Sequence, residues 1–443
     1  MKNKAVLSGA LALSLGGIIT KILGAVYRIP LTNLLGGEGI GLYQMVFPLY
    51  SALLTFSSTG VPNGISKLIA EGNNAKITLK SSLKVFSLAG VILSLFMAVF
   101  SGVIADIQGN SNAGVCYAVL SPSIFLVSVI SCFRGYYQGY SNMKPTAVSQ
   151  ILEQSVKLSI GLLLCVIFRG NAVLSATLAV LAVTVSEAIT LIYFLLKARG
   201  ISLLLDVKVR KSDLTPIFKT VIPMMAVTLI VPLIRTVDSF LIINILKRYL
   251  DNATELYGLL SGAVESLISM PISVCYALAV TSIPVISRLK KEGDNYTGKC
   301  FKSISLTLFL SSVFAVLVYV FSPFAVNILY GGLSLENKLT VANMLKVSSI
   351  SVVLLSLMQT TVACVNSIGN FKVTIFSGIT AGGVKILLSV LFLLNPKINI
   401  FGAIYSDIFC YFVASFINLS YIIYKDFNLR VNYVQNNCYR VRG

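Results

Sequence analysis

Along the chain, apolar residues gather in blocks of about twenty or more, separated by short polar or basic stretches. Blocks such as "LAGVILSLFMAVFSGVIADI" (88–107) and "AVLSATLAVLAVTVSEAITLIYFLL" (172–196) match the roughly 20 residues a helix needs to cross a bilayer core. We expect about 12 such spans, near 5–27, 40–60, 83–107, 113–133, 146–168, 172–196, 214–246, 256–286, 304–330, 341–365, 371–394 and 399–424. The alternating pattern of membrane-barrel strands is absent. The first block follows Lys2 and Lys4 in the manner of a secretory signal. No small-residue cleavage site leads into a soluble domain, so it is read as the first membrane helix.

The pattern repeats. "ISKLIAEGN" (65–73) is echoed by "ISRLKKEGD" (286–294), and "NMKPT" (142–146) by "NFKVT" (370–374), a register that also sets Lys157 against Lys385. The first echo is read as one cytoplasmic loop occurring in two copies. Chance recurrence of short words in apolar sequence is the competing account. Duplication of a six-helix unit keeps both copies in the same orientation and implies a pseudo-two-fold axis along the membrane normal. The expected fold is therefore an all-α polytopic membrane protein of two six-helix lobes. Residues 1–200 form the N-lobe, 201–219 a basic linker, 220–424 the C-lobe and 425–443 a cytoplasmic tail.

Composition supports the membrane assignment: 56% of the 443 residues are hydrophobic and 12% charged, about half the charge of a soluble domain. With the N-terminus inside, the outer loops hold only Arg28, Arg169, Lys247, Arg248, Lys338 and Lys397 of the 35 basic residues. That asymmetry places both termini in the cytoplasm. The net charge of +19 is then a positive-inside signature with attraction to anionic lipid, and nucleic-acid binding is not expected. The eight cysteines are scattered, without a CxxC, and there is no histidine. No metal site or cofactor is expected.

Ten ionisable residues fall inside the spans: Lys21, Glu153, Lys157, Glu187, Arg235, Asp238, Glu265, Lys346, Lys385 and Asp407. Facing lipid, each would cost about 2.5–3.5 kcal/mol, so they must pair, snorkel or line a wet cavity. Glu153 and Lys157 stand at i,i+4 on a face with Gln150 and Gly161 and are expected to form a local ion pair. Lys385 shares a stripe with Thr374, Gly378, Ala381 and Ser389 and has no acid beside it. The seventh span carries Thr228, Pro232, Arg235, Asp238 and Ser239, with Pro223 and Pro232 suggesting a bend. The second carries Gln44, Pro48, Ser51, Thr55 and Ser58, and the eighth Ser261, Glu265 and Ser269. Such Ser and Thr stripes serve helix packing as readily as ligand binding. Lys21, Arg28, Arg235 and Lys346 lie in the outer parts of their spans, and Lys157 and Lys385 near the middle. A mostly cationic interior suits an anionic cargo, phosphate or pyrophosphate above all. Snorkelling accounts equally for Arg28 and Lys346.

"FRGYYQGYSNMKPTAVSQILEQSVKLSIG" (133–161) and "GEGIGLYQMVFPLYSALLTFSSTGVPNGISKLIAEG" (37–72) resemble the polysaccharide-exporter branch of the multidrug/oligosaccharidyl-lipid/polysaccharide (MOP) flippase superfamily. Within that branch they are similar to the stage V sporulation group of spore-forming bacteria. The resemblance implies two six-helix bundles around a V-shaped cavity and alternating access. It also implies export of an undecaprenyl-pyrophosphate-linked saccharide or peptidoglycan precursor across the bacterial cytoplasmic membrane, or the membrane around the forespore. Lipid II flippases of the superfamily grip pyrophosphate with cavity arginines, and Arg28 and Arg235 match them. The sequence departs from that pattern at the second span, whose polar face carries Gln44 and no base, and in having 12 spans where many relatives have 14.

The expected cavity residues are Arg28, Arg235, Lys157, Lys385, Lys21, Gln44 and Glu153. Asp238, Glu265 and Asp407 are candidates for coupling to Na+ or H+, or for gating. Expected partners are the anionic lipid-linked cargo and membrane lipids. Three readings compete. A cation-coupled multidrug exporter would use the same three acids. A scaffold for spore-envelope assembly would need no cavity. A membrane-embedded transferase would need a histidine or acidic base and a sizeable donor-binding loop, and the sequence has neither a histidine nor a Gly-rich phosphate loop.

Overall fold

The computed structural model describes residues 2–56, 60–198, 209–210, 213–292 and 294–441. For 2–19, 21, 22, 25, 223, 224, 226, 227 and 429–441 it describes the backbone alone. Among the described residues every regular element is helical, and ten helices are long and apolar enough to cross a membrane. The other two expected spans are 5–27, which falls in α1 (Lys2–Leu54), and 40–60, which α1 covers as far as Leu54. No outer loop separates them. The helix is broken at Gly36 alone, at φ 67°, ψ −173°, a conformation that a residue with a Cβ adopts only under strain.

The following helices are α2 (Val61–Ala70), α3 (Ala75–Val99), α4 (Ser101–Gln108), α5 (Ala113–Gly139), α6 (Lys144–Ile167), α7 (Ala172–Lys197) and α8 (Thr215–Leu246). Then come α9 (Ala253–Gly258), a π-helical turn (Leu259–Val264), α10 (Glu265–Glu292), α11 (Tyr296–Leu329), α12 (Leu335–Ser367), α13 (Phe371–Leu393) and α14 (Phe401–Val441). Local chemistry sets their starts. Asn74 Oδ1 accepts from the backbone N–H of Lys76 and Ile77, Asn171 Oδ1 from Leu174, and Ser334 Oγ from Asn337, satisfying orphan donors of the first turn. Prolines open α2, α6 and α8, where the missing N–H is harmless. The seventh-span helix α8 continues through Pro223 and Pro232, and the expected tail 425–443 is helical as far as Val441. Most of the 201–219 linker lies outside the described residues, and its last five residues already belong to α8.

Both echoes turn out to be helix stops rather than loops. After α2, Gly72 takes φ 94° and the Asn73 N–H returns to Leu68 O; after α10, the Asp294 N–H returns to Leu289 O. After α5, Ser141 takes φ 59° and the Asn142 N–H returns to Tyr137 O; after α12, Gly369 takes φ 81° and the Asn370 N–H returns to Val365 O. The bond five residues back, beside a left-handed residue at Gly72, Ser141 and Gly369, ends a helix by satisfying its last carbonyls. Its donor, Asn73, Asp294, Asn142 or Asn370, lies in a repeated word. The first echo also repeats an i,i+4 ion pair, Lys67–Glu71 at 3.8 Å and Arg288–Glu292 at 2.9 Å.

The helices group into two compact units, Met1–Ala263 with Leu329–Leu333, and Val264–Ile328 with Ser334–Gly443. α8 and α9 belong to the first unit because they pack on α1, α2 and α4. In the first unit Ile65 is fully buried among Leu79, Phe133, Phe194 and Val221; in the second its echo Ile286 is fully buried among Cys300, Ile304, Val365 and Ile422. The packing order repeats as well: α2 on α5, α5 on α7 and α7 on α6 in one, α10 on α12, α12 on α14 and α14 on α13 in the other. Close approach of α2 to α5 depends on Gly135 and Gly139. A Cβ on Gly135 would stand 2.8 Å from Ile65 Cβ, and one on Gly139 2.7 Å from Ile69 Cβ. Leu88, Leu95 and Val99 of α3 and Phe309, Val316 and Phe324 of α11 are exposed. Apolar faces of that extent on helices of spanning length are lipid-facing surface.

Candidate functional site

Polar chemistry in the first unit converges where α5, α6, α7 and α1 meet. Arg134, on α5, lies just past the expected end of the fourth span at residue 133. Because α5 continues to Gly139, Arg134 is inside the helix. Its Nε donates to Ser149 Oγ and its Nη2 to Glu153 Oε2, both at 3.0 Å. The two side chains of this ion pair are 13% and 19% exposed. Gln154 Nε2 donates to the other Glu153 oxygen at 3.3 Å.

The expected Glu153–Lys157 pair is therefore not the one formed. Glu153 turns across to α5, where a guanidinium makes a charge-assisted bond more directional than an ammonium one turn along can. Lys157 instead lies over the Tyr27 ring, its Nζ 5.6 Å from the centroid, a cation–π arrangement. Among the described residues it makes no ion pair. Gly161, one turn on, makes room for Tyr27: a Cβ there would be 2.5 Å from the phenol oxygen. Arg28 is half-buried on α1, and its charge acts on Lys157, Tyr43 and Tyr330.

Glu187 of α7 completes the group. It is 5% exposed and its Oε2 has no hydrogen-bond partner. Arg134 and Lys157 are the cations that act on it. Tyr50 of α1 is buried.

In the second unit Lys385 is not without an acid. Its Nζ stands 2.5 Å from Asp407 Oδ1, across the α13–α14 hairpin. That pair removes Lys385 from the unpaired cations and makes Asp407 its counter-ion. Desolvated inside a helical bundle, either charge would be costly alone. Of the other expected residues, Gln44 is buried and donates to Ser261 O at 3.3 Å, bonding the second half of α1 to the π-helical turn. Arg235 is exposed on α8, and Asp238 is buried one turn on. Glu265 is half-buried where the π-helical turn passes into α10. The Lys21 side chain and Ser58 lie outside the described residues. The interior is thus less cationic than expected, with two of its bases matched to acids. Sequence reasoning missed Arg134, Tyr27 and Tyr50. The nearest signal was Gly135 and Gly139 flanking the end of α5, a small-residue spacing that marks a buried helix end.

Charges paired across neighbouring helices of spanning length are those of a multi-pass membrane protein. The fold agrees: the chain superposes with a TM-score of 0.80 and 14% identity on the inward-facing conformation of a multidrug resistance MATE family transporter of the MOP superfamily, covering 95% of this chain and 99% of that one. The chain belongs to the polysaccharide biosynthesis protein family, whose model matches residues 6–290. Among its relatives are the lipid II flippase MurJ of Bacillus subtilis (strain 168), 27% identical over 422 residues, 87% of this chain and 76% of the relative. Stage V sporulation protein B of the same organism is 27% identical over 356 residues, 75% of this chain and 68% of the relative. These relatives set it among transporters rather than enzymes.

Proposed function

We propose that the protein carries an undecaprenyl-pyrophosphate-linked saccharide or peptidoglycan precursor across the bacterial cytoplasmic membrane by alternating access, in cell-wall or spore-cortex formation, with both termini in the cytoplasm. The observation that carries this reading is Lys157, an intramembrane ammonium held over Tyr27 with no carboxylate in ion-pair range among the described residues. A cation kept in a low-dielectric site at a cost of several kcal/mol is a functional group first. With Arg28 acting on the same place, it forms a locus for a doubly charged headgroup. Arg235, exposed on α8, is a second contact. The kinship with a lipid II flippase supports the pyrophosphate over other anions. Membrane lipids are the second partner, with the polyprenyl tail remaining in the bilayer.

The test is headgroup accessibility in proteoliposomes: undecaprenyl-pyrophosphate-linked precursors in the outer leaflet are counted with and without the protein. Protein-dependent exposure, lost in Lys157→Glu and Arg28→Glu variants that insert normally, is the expected result. Exposure unaffected by both reversals would overturn the assignment of the site. No exposure of any precursor would overturn the cargo.

A further inference from the structure

We propose that Tyr27 is a positioning residue for anion binding: its ring face holds the Lys157 ammonium away from the Glu153 carboxylate without cancelling the ammonium's charge. The inference rests on the reading of Lys157 as a cargo-binding cation and adds what keeps that cation in place.

Three observations carry it. First, the ring has a built seat. Tyr27 is 1% exposed, and α6 receives it at a glycine: a Cβ on Gly161 would stand 2.5 Å from the phenol oxygen and 3.1 Å from both Cζ and Cε2. A side chain at 161 would therefore displace the ring. Lys157 stands four residues before Gly161, on the same face of α6, and its Nζ lies over that ring, 5.6 Å from the centroid. Second, an acid stands one turn the other way. Glu153 and Lys157 are at i,i+4, the spacing at which a carboxylate and an ammonium on one helix ordinarily pair. Here the Glu153 oxygens accept from Arg134 Nη2 at 3.0 Å and Gln154 Nε2 at 3.3 Å instead. Third, the two kinds of holder differ in charge. A carboxylate would neutralise the lysine, whereas a ring attracts an ammonium through its quadrupole and brings no counter-charge. An ammonium has three N–H donors, and a ring engages only the side it faces.

The consequence is a division of labour around one cation. Arg134 occupies the acid that Lys157 would otherwise take, and Tyr27 fixes the ammonium with its positive charge intact. Without the ring, Lys157 regains its rotamer freedom and can swing back toward Glu153. Both effects lower its affinity for an anion.

The experiment measures the Kd of inorganic pyrophosphate for the purified full chain by calorimetry, with position 27 carrying in turn Tyr, Phe, phenylalanines of increasing ring fluorination, and Leu. Fluorine withdraws electron density from the ring face and nearly preserves its shape, so packing is held while the attraction for a cation fades. Tyr27→Phe is expected to bind close to wild type, because the ring and not the hydroxyl faces the ammonium. Affinity is expected to fall stepwise with fluorination, by roughly 3- to 30-fold in all, with Tyr27→Leu at the weak end. In a Lys157→Met background, which itself binds more weakly, the series is expected to be flat. A packing role for Tyr27 would give no slope with fluorination. A flat or rising series in the Lys157 chain, or a slope that survives Lys157→Met, overturns the inference and leaves the carrier reading intact. Lys157→Met binding as tightly as wild type, or pyrophosphate that binds none of the proteins, overturns the carrier site as well. If Tyr27→Leu fails to fold, the fluorinated series still decides.

Discussion

The ion pair between Arg134 and Glu153 offers the sharpest test of how the first unit holds its charges. Truncating Arg134 to Ala removes both of its bonds, to Ser149 Oγ and to Glu153 Oε2, and leaves a carboxylate 19% exposed with one amide donor at 3.3 Å. Breaking a buried pair by deleting one partner costs about 3–5 kcal/mol, most of it the stranded charge. Adding Glu153→Gln removes that charge, so the double variant should retain only the hydrogen-bond loss of about 1–2 kcal/mol. Because Glu153→Gln alone leaves the Arg134 charge unpaired at a cost of its own, a double-mutant cycle should give a coupling energy of at least about 2–3 kcal/mol. Unfolding in detergent can be followed with a thiol-reactive dye, because Cys116, Cys132, Cys165, Cys275, Cys300 and Cys364 are free and buried and become reactive on opening. The single variant should melt on the order of 5–10 °C lower, with much of that recovered in the double. Lys157→Met with Glu153→Gln is the control, and its coupling should stay below about 0.5 kcal/mol. Refutation would be an Arg134→Ala midpoint equal to wild type, or a double variant that falls by the sum of the singles.

Other expectations are simpler. Gly139→Val, which drives a branched side chain into Ile69, should destabilise by about 1–3 kcal/mol in the same melt. Asn33→Ala should cost about 1–3 kcal/mol, because Asn33 donates to Leu329 O at 2.7 Å and accepts from the Gly332 N–H at 2.9 Å, tying the 329–333 turn to α1. Lys385→Met should be destabilising alone and largely rescued by Asp407→Asn, with no rescue if their pairing is incidental. Lys67→Ala should shift stability by less than about 0.5 kcal/mol, since the Lys67–Glu71 pair is 53% exposed on both sides.

Ten of the expected spans were readable because each spanning block must supply its own twenty apolar residues, whereas the first two lie in a single helical run, α1. The charge partners were not. Periodicity along one helix shows which residues share a face, and so offers Glu153 to Lys157; it carries no information about which neighbouring helix that face meets. Arg134 and Asp407, the actual partners, sit on α5 and α14, and helix-to-helix pairing appears only in three dimensions. Arg134 was further hidden by ending the fourth span at residue 133, six residues before α5 stops at Gly139. The repeated words were legible as a repeat, yet their meaning depended on backbone geometry: a Gly followed by Asn or Asp reads as loop until its N–H is seen returning to a carbonyl five residues back. Lys385 looked solitary for the same reason that Glu153 looked paired.

The first helix has a mechanical consequence. Its 53 residues form two helical segments on either side of Gly36, about 50 Å and 27 Å long at 1.5 Å per residue. A linker of ordinary size between two spans would distribute the turn over many torsions. Here Gly36 is the one non-helical residue between the segments, so the angle between them is set chiefly by its φ and ψ, while Pro30 and Pro48 each remove one further hydrogen bond within a segment.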